Sequence, residues 1–184
     1  MDKYNRPDRY QTIRRNYQIG GFFFTVALGT ILHFLFEWTG NNNIVASVSA
    51  VNESVWAHMK IMFIPLFLYG IFEYFRWGKE QLNFWCIKLT GILLTLIIIP
   101  TVYYTYTGAL FESKDWINIT LYYVAALIAF WAETKLWNQG RDCILPNKAC
   151  FLILFLILTM FIVFTYGPPR IPLFQDPMTG QYGM

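Results

Sequence analysis

The chain carries five long apolar stretches, which short polar or charged connections separate. A helix of about 20 mostly apolar residues crosses a bilayer core of roughly 30 Å, and each stretch reaches that length. The composition agrees, because 56% of the residues are hydrophobic and only 14% are charged. The pattern predicts an all-α polytopic membrane protein of the cell membrane, a single helical bundle of about five transmembrane helices. The stretches are residues 19–39, 54–76, 85–107, 116–137 and 149–167.

Polar residues inside the first four stretches fall on one helical face each. In the first, Thr25, Gly29, His33 and Glu37 recur every four residues, which places them on one side of a helix. Such faces turn toward protein rather than lipid. We therefore expect four helices to share a polar-lined interior. The fifth stretch has few polar residues and is expected at the periphery.

Lysine and arginine set the expected orientation. Five basic residues precede the first stretch, whereas few lie on the opposite side of the predicted bundle. By the positive-inside rule the N-terminus is cytoplasmic and, with five spans, the C-terminus is outside. The domain then consists of a cytoplasmic segment 1–18, a bundle 19–167 and an extracytoplasmic Pro/Gly-rich tail 168–184. Basic residues that enter this count are Lys3, Arg6, Arg9, Arg14, Arg15, Arg76, Lys79, Lys135, Arg141 and Lys148.

The same charge distribution bears on partners. The formal net charge is +3, but the basic residues stand beside helix ends rather than on one face, so no nucleic-acid partner is expected. The lipid bilayer is the expected partner.

Cys86, Cys143 and Cys150 have no zinc-finger spacing, and all lie toward the predicted cytoplasmic side. Cytosolic thiols stay reduced, so the three are interpreted as free.

The segment "VNESVWAHMK" (51–60) concentrates polar chemistry at the start of the second span. With the spans in order, both histidines of the chain lie at one depth near the outer leaflet, together with several acids and amides. The tail emerges on the same side and could cover them as a lid. The arrangement predicts a pocket for a metal or for a small polar or lipid-headgroup ligand. Its candidate residues are His33, Glu37, Asn52, Glu53, Ser54, His58 and Asp176.

The metal hypothesis uses four of these residues, namely His33, Glu37, Glu53 and His58. Mixed nitrogen and oxygen ligands suit a divalent metal such as zinc, manganese or iron, and an open position would activate a water for hydrolysis. If both were helical, Glu53 and His58 would point about 140° apart, and no HExxH motif is present. No residue is identified as catalytic.

A structural interpretation stands beside the metal hypothesis. Asn52 is a favoured N-cap, and Glu53 complements the positive end of a helix dipole. His58 could then bond to His33 or Glu37 and only hold two helices together.

A second polar cluster is predicted at the cytoplasmic ends of the second, third and fourth spans. Lys88 lies slightly inside its span, and pairing with Glu73 or Glu133 would offset the cost of burying it. A row of Tyr69, Thr95 and Tyr122 between the two clusters would give a path for a proton or small ion, so a small transporter is a further alternative. The cluster is Glu73, Arg76, Lys88, Glu133 and Lys135.

Two motifs carry a resemblance to a known family. "HFLFEWTGNN" followed by "VNESVWAHMK", and the tail "PPRIPLFQDPMTGQYG", resemble a family of small bacterial multi-span membrane proteins of unknown function. The likeness implies a membrane location and no assigned activity. More distantly, Ser54, Glu53 and His58 are similar to the site residues of alkaline ceramidases and adiponectin-receptor-like proteins, which implies an intramembrane zinc hydrolase. Those proteins have seven spans and three zinc-binding histidines, whereas this chain has five predicted spans and two histidines.

Overall fold

A computed structural model describes residues 6–140 and 143–184; Lys3 and Arg141, used in the charge count, lie outside the described residues. The described residues form helices throughout the predicted spans, and five of these helices are long and apolar enough to cross a membrane. The prediction of an all-α membrane bundle is confirmed, while its orientation stays a prediction. The helices are α1 (Arg6–Trp38), α2 (Asn43–Ala46), α3 (Val55–Arg76), α4 (Phe84–Leu110), α5 (Asp115–Gln139) and α6 (Asn147–Tyr166).

Helix α3 forms the centre of the bundle. Of its apolar segment 72% is buried, against 22% for α6. It packs on α1, α4 and α6, and its middle turns bury Ile61, Met62 and Phe63 completely or almost completely. Burial of this kind is the main favourable term holding soluble cores together, but between lipid-embedded helices close packing takes that role. The apolar segment of α1 is also 22% buried, so this fraction does not distinguish α6 from α1, and the peripheral position of α6 stays a prediction.

The connection from α1 to α3 folds back onto the bundle. The Asn42 side chain caps the short helix α2 by accepting from the Ile44 and Val45 amides. Beyond it, Ala50 donates its amide to the Leu32 carbonyl at 3.1 Å. This backbone bond returns the chain to α1 and sets residues 52 and 53 over the end where His33 lies.

The C-terminal tail packs against the same end of the bundle. A 3-10 turn, Pro172–Phe174, buries the Phe174 ring against Trp56, with ring centroids 4.6 Å apart. The Asp176 carboxylate accepts from the Met178 amide at 2.8 Å and the Thr179 hydroxyl at 3.0 Å. The tail is therefore held by packing and by its own turn.

The opposite end of the bundle holds the cysteines. Cys86 and Cys143 form a disulfide with Cα atoms 6.4 Å apart, and Cys150 is free and buried beside them. The interpretation of three free thiols is confirmed for Cys150 and wrong for the other two. Sequence spacing concealed the pair, because the α5–α6 connection brings Cys143 back to the start of α4.

Candidate functional site

Helix α3 begins at Val55, two residues later than an N-cap at Asn52 would give. Ser54 is its N-cap, since the Ser54 hydroxyl accepts from the Ala57 amide at 3.2 Å. Asn52, the expected cap, instead accepts from the Ser54 amide and donates to the Gly183 carbonyl at 2.9 Å. Glu53 therefore lies outside the helix. The angle of 140° that a helical Glu53 would make with His58 does not apply.

Three predicted residues converge at this end of the bundle, and we call them the histidine site: His33, Glu53 and His58. Oε2 of Glu53 lies 3.5 Å from Nε2 of His58 and 3.8 Å from Nε2 of His33. The two imidazole rings meet edge to face with centroids 5.3 Å apart. One potential ligand atom from each side chain lies within 4.8 Å of the other two. The site thus joins α1, the connection before α3, and the first turn of α3.

The backbone fixes which nitrogen of His58 faces the carboxylate. Nδ1 of His58 lies 2.9 Å from the Ser54 carbonyl oxygen, which can only accept, so Nδ1 carries the hydrogen. In the neutral ring Nε2 then has a lone pair directed at the Glu53 oxygen. Two acceptors repel each other at this distance unless a proton or a cation lies between them. A histidine whose second nitrogen is held by a carbonyl is also the usual arrangement of a metal ligand.

The separations suit a small divalent metal. Ligand atoms at about 2.1 Å from a tetrahedral zinc lie about 3.4 Å from one another, close to the two nitrogen–oxygen distances of the site. The side chains keep access to the surroundings, since 48% of the Glu53 side chain is exposed, with 30% for His33 and 20% for His58. A metal held by these three side chains would have a fourth position open.

A small cavity adjoins the histidine site. Its volume is about 20 Å³, enough for about one water molecule. The hydroxyl of Tyr122 lies 3.3 Å from the carbonyl oxygens of Thr25 and Ile61, which holds one wall between α1 and α3. The sequence pattern placed Tyr122 in a polar row between the two clusters, but nothing in it linked Asn118 to the histidines. The lining residues are Glu53, Val55, His58, Ile99, Tyr103, Asn118, Leu121 and Tyr122.

The remaining predicted pocket residues have other positions. Glu37 is exposed, and its carboxylate is not part of the group formed by the histidine site. Asn52 and Ser54 make the cap and tail contacts given above. Asp176 holds the turn of the tail, near enough to the Tyr103 hydroxyl for an electrostatic interaction. The structure therefore brings together three of the four proposed metal ligands, without Glu37.

The second predicted cluster exists at the opposite end of the bundle. Lys88 forms ion pairs with Glu73 and with Glu133, the latter at 2.6 Å. All three side chains are at least 98% buried, and we call them the buried triad. The other two predicted members point elsewhere. Arg76 donates to the Tyr17 hydroxyl at 3.3 Å, and the Lys135 ammonium lies over the Trp131 ring at 5.0 Å.

Comparison with known protein families gives a match over nearly the whole chain. The sequence model of a family of unknown function, DUF6512, matches residues 8–184. No curated protein and no solved structure matches the chain. The likeness to alkaline ceramidases and adiponectin-receptor-like proteins stays a prediction. Since the matched residues cover nearly the whole chain, the protein belongs to the family of unknown function DUF6512.

Proposed function

We propose that this membrane protein binds one divalent metal, zinc in the first place, at the histidine site. We further propose that the metal serves the hydrolysis of a polar group presented at the outer membrane surface, such as a lipid headgroup. The observation that carries the proposal is the approach of two imidazole nitrogens to one oxygen of Glu53, at 3.5 Å and 3.8 Å.

Each residue of the histidine site has a defined part. His33 and His58 supply nitrogen ligands, and Glu53 supplies an oxygen ligand and offsets the charge of the metal. The bond from His58 to the Ser54 carbonyl keeps Nε2 free for coordination. Zinc with three protein ligands activates a water at its fourth position. The cavity beside Glu53 and His58 has room for about one such water.

The interior gives less support to an ion pathway. The hydroxyls of Tyr69, Thr95 and Tyr122 each donate to a backbone carbonyl, so these groups are satisfied locally. Between the two polar ends, α3 buries a row of apolar side chains from Ile61 to Phe67. A polar route from one end to the other needs partners that these contacts do not provide.

Metal content of the protein purified in detergent tests the binding step. The wild type loaded with zinc and then desalted should retain about one equivalent by elemental analysis. His33→Ala and His58→Ala should retain none, and Glu53→Gln should bind more weakly in calorimetric titration. Glu37→Gln is the matched control, because Glu37 lies outside the group, and it should bind as the wild type does. A wild type that retains no zinc, or histidine variants that retain it equally, would refute the proposal.

A second assay separates metal binding from chemistry. Zinc-loaded wild type and His58→Ala protein are compared in mixed phospholipid vesicles, and release of headgroups is measured. Hydrolysis that follows the zinc content supports the hydrolase. Zinc retention without release, across anionic and zwitterionic lipids, would leave a metal site whose role is to join α1 and α3.

A further inference from the structure

The buried triad carries more negative than positive charge. It contains two carboxyl groups, Glu73 on α3 and Glu133 on α5, and one ammonium group, Lys88 on α4. All are at least 98% buried. If both carboxyls were ionised, one net negative charge would stay in the interior of the bundle. An uncompensated buried charge is strongly disfavoured, and a buried group normally binds or releases a proton instead.

A neighbouring glutamine gives an independent indication. Gln18 on α1 is 5% exposed, and its amide nitrogen lies 3.4 Å from Oε1 of Glu73. The Gln18 carbonyl oxygen is buried and has no hydrogen-bond donor, whereas Oε2 of Glu73 is paired with the Lys88 ammonium. Buried acceptors normally have donors. A hydrogen on one carboxyl of the triad would provide a donor for the Gln18 carbonyl oxygen.

Among residues 11–140 and 143–184, whose side chains the structure describes, no second cation forms an ion pair with the triad. Among the described residues near the triad, Arg14 stands one turn before Gln18 on α1 but donates to the Trp137 carbonyl at 3.5 Å. Arg76 donates to the Tyr17 hydroxyl. Tyr69 lies within electrostatic range, and its hydroxyl donates to the Tyr17 carbonyl at 2.7 Å. The other contacts of Lys88 are the faces of Phe84 and Phe130.

Gly91 leaves the space that the Glu133 side chain occupies. A Cβ at this position would lie 2.7 Å from Oε1 of Glu133, so only glycine leaves room for that side chain beside Lys88.

The triad is also distant from the histidine site. His58 and Glu73 are about four turns apart on α3, which is about 22 Å at ~1.5 Å per residue.

We propose that the buried triad is a proton-binding site, in which the carboxyl pair of Glu73 and Glu133 holds one proton at neutral pH and Lys88 balances the remaining carboxylate. The stored proton belongs to the pair. Removal of either carboxyl leaves a neutral ion pair with no reason to bind a proton. Removal of the ammonium leaves two carboxyls that both become protonated.

Infrared spectroscopy measures the number of protonated carboxyls directly, because a protonated carboxyl has a carbonyl absorption distinct from that of a carboxylate. Near pH 7, detergent-purified wild type should show the absorption of one protonated carboxyl. Glu73→Gln and Glu133→Gln should each lose it, and Lys88→Met should about double it. Glu112→Gln is the control, since Glu112 is 57% exposed and pairs with Lys114, and it should leave the absorption unchanged.

The wild type and two variants on different helices keep the proposal testable even where Lys88→Met does not fold. Absence of the absorption in the wild type would overturn it, as would its persistence in both glutamine variants. The measurement is repeated with sodium, with potassium and with neither ion. An absorption that only appears when both are left out would show that a metal cation occupies the site in place of the proton, and this too would overturn the proposal.

Discussion

The backbone carbonyl of Ser54, rather than its hydroxyl, accepts the hydrogen of His58 Nδ1, at a distance of 2.9 Å. The hydroxyl is engaged elsewhere, because it accepts from the Ala57 amide and caps α3. Ser54 thus orients the histidine through main-chain geometry that any residue could supply. Its side chain caps the N-terminus of α3.

Ser54→Ala should therefore separate the two roles. Loss of a serine N-cap costs about 1 kcal/mol, so thermal unfolding in detergent should show a modest decrease in stability. Zinc affinity measured by calorimetry should stay within about twofold of the wild type, since an energy change below about 0.4 kcal/mol corresponds to that factor. A folded Ser54→Ala protein that no longer binds zinc would make the hydroxyl part of the site, as the resemblance to the ceramidases implies.

The fold was largely predictable because hydrophobic length alone defines a spanning helix. The second predicted span, 54–76, differs from α3 by one residue at its start, and the end of the first span differs from α1 by one residue. The charge-based orientation needs information about the membrane and is not tested by the fold. Burial of Lys88 between two glutamates was also predictable, because a cation inside a span requires a partner.

The composition of the histidine site was less predictable, because it depends on where a helix begins. Glu37 has the correct helical spacing from His33 but is exposed, whereas Glu53 reaches both histidines because it precedes the helix. Tyr103 lines the cavity without any sequence signal that links it to His58. Such contacts arise from the angles between helices and from the returning connection, which periodicity does not encode.

Gly29 is required by the side chain of Tyr122. A Cβ at position 29 would lie 1.7 Å from the Tyr122 hydroxyl oxygen, so Gly29→Ala must displace a ring that lines the cavity. Overpacking of this kind costs about 1–3 kcal/mol. We expect a clear drop in thermal stability and weaker zinc binding, because the wall next to His58 moves.

Gly108→Ala is the matched control on α4. A Cβ there meets nothing within 4 Å, and alanine is the better helix former by about 1 kcal/mol. This variant should be as stable as the wild type or slightly more stable. Equal losses at positions 29 and 108 would mean that the proposed contact with Tyr122 does not determine the packing.

The buried Lys60 side chain on α3 connects this helix to α2 and α6. Its ammonium donates to the Ala46 carbonyl and to the Thr165 hydroxyl, both at 2.7 Å. Lys60→Ala removes these bonds and leaves a cavity, a combination that costs about 2–4 kcal/mol. Lys60→Met keeps the volume and should lose less. Both variants should also make the connection near Ala46 more accessible to proteolysis.

The control for Lys60 is Lys114→Ala. Lys114 is 42% exposed and pairs with the exposed Glu112 at 2.6 Å, a type of ion pair worth about 0–1 kcal/mol. Its replacement should change the melting temperature little and leave proteolysis unchanged. If Lys60→Ala unfolds at the same temperature as Lys114→Ala, the buried bonds do not stabilise the bundle.

Whether Cys86 and Cys143 are bonded in the cell depends on which side of the membrane their end of the bundle faces. Cys86 and Cys143 are bonded at the end that the basic residues place in the cytoplasm, where thiols are kept reduced. We therefore expect three thiols when cells are lysed in denaturant with excess alkylating reagent, and one, Cys150, after purification without reductant. Cys150→Ser should lower each count by one and leave the disulfide intact. If cells already give one thiol, this end faces an oxidising compartment. The bundle would then be inverted, with the histidine site on the cytoplasmic side.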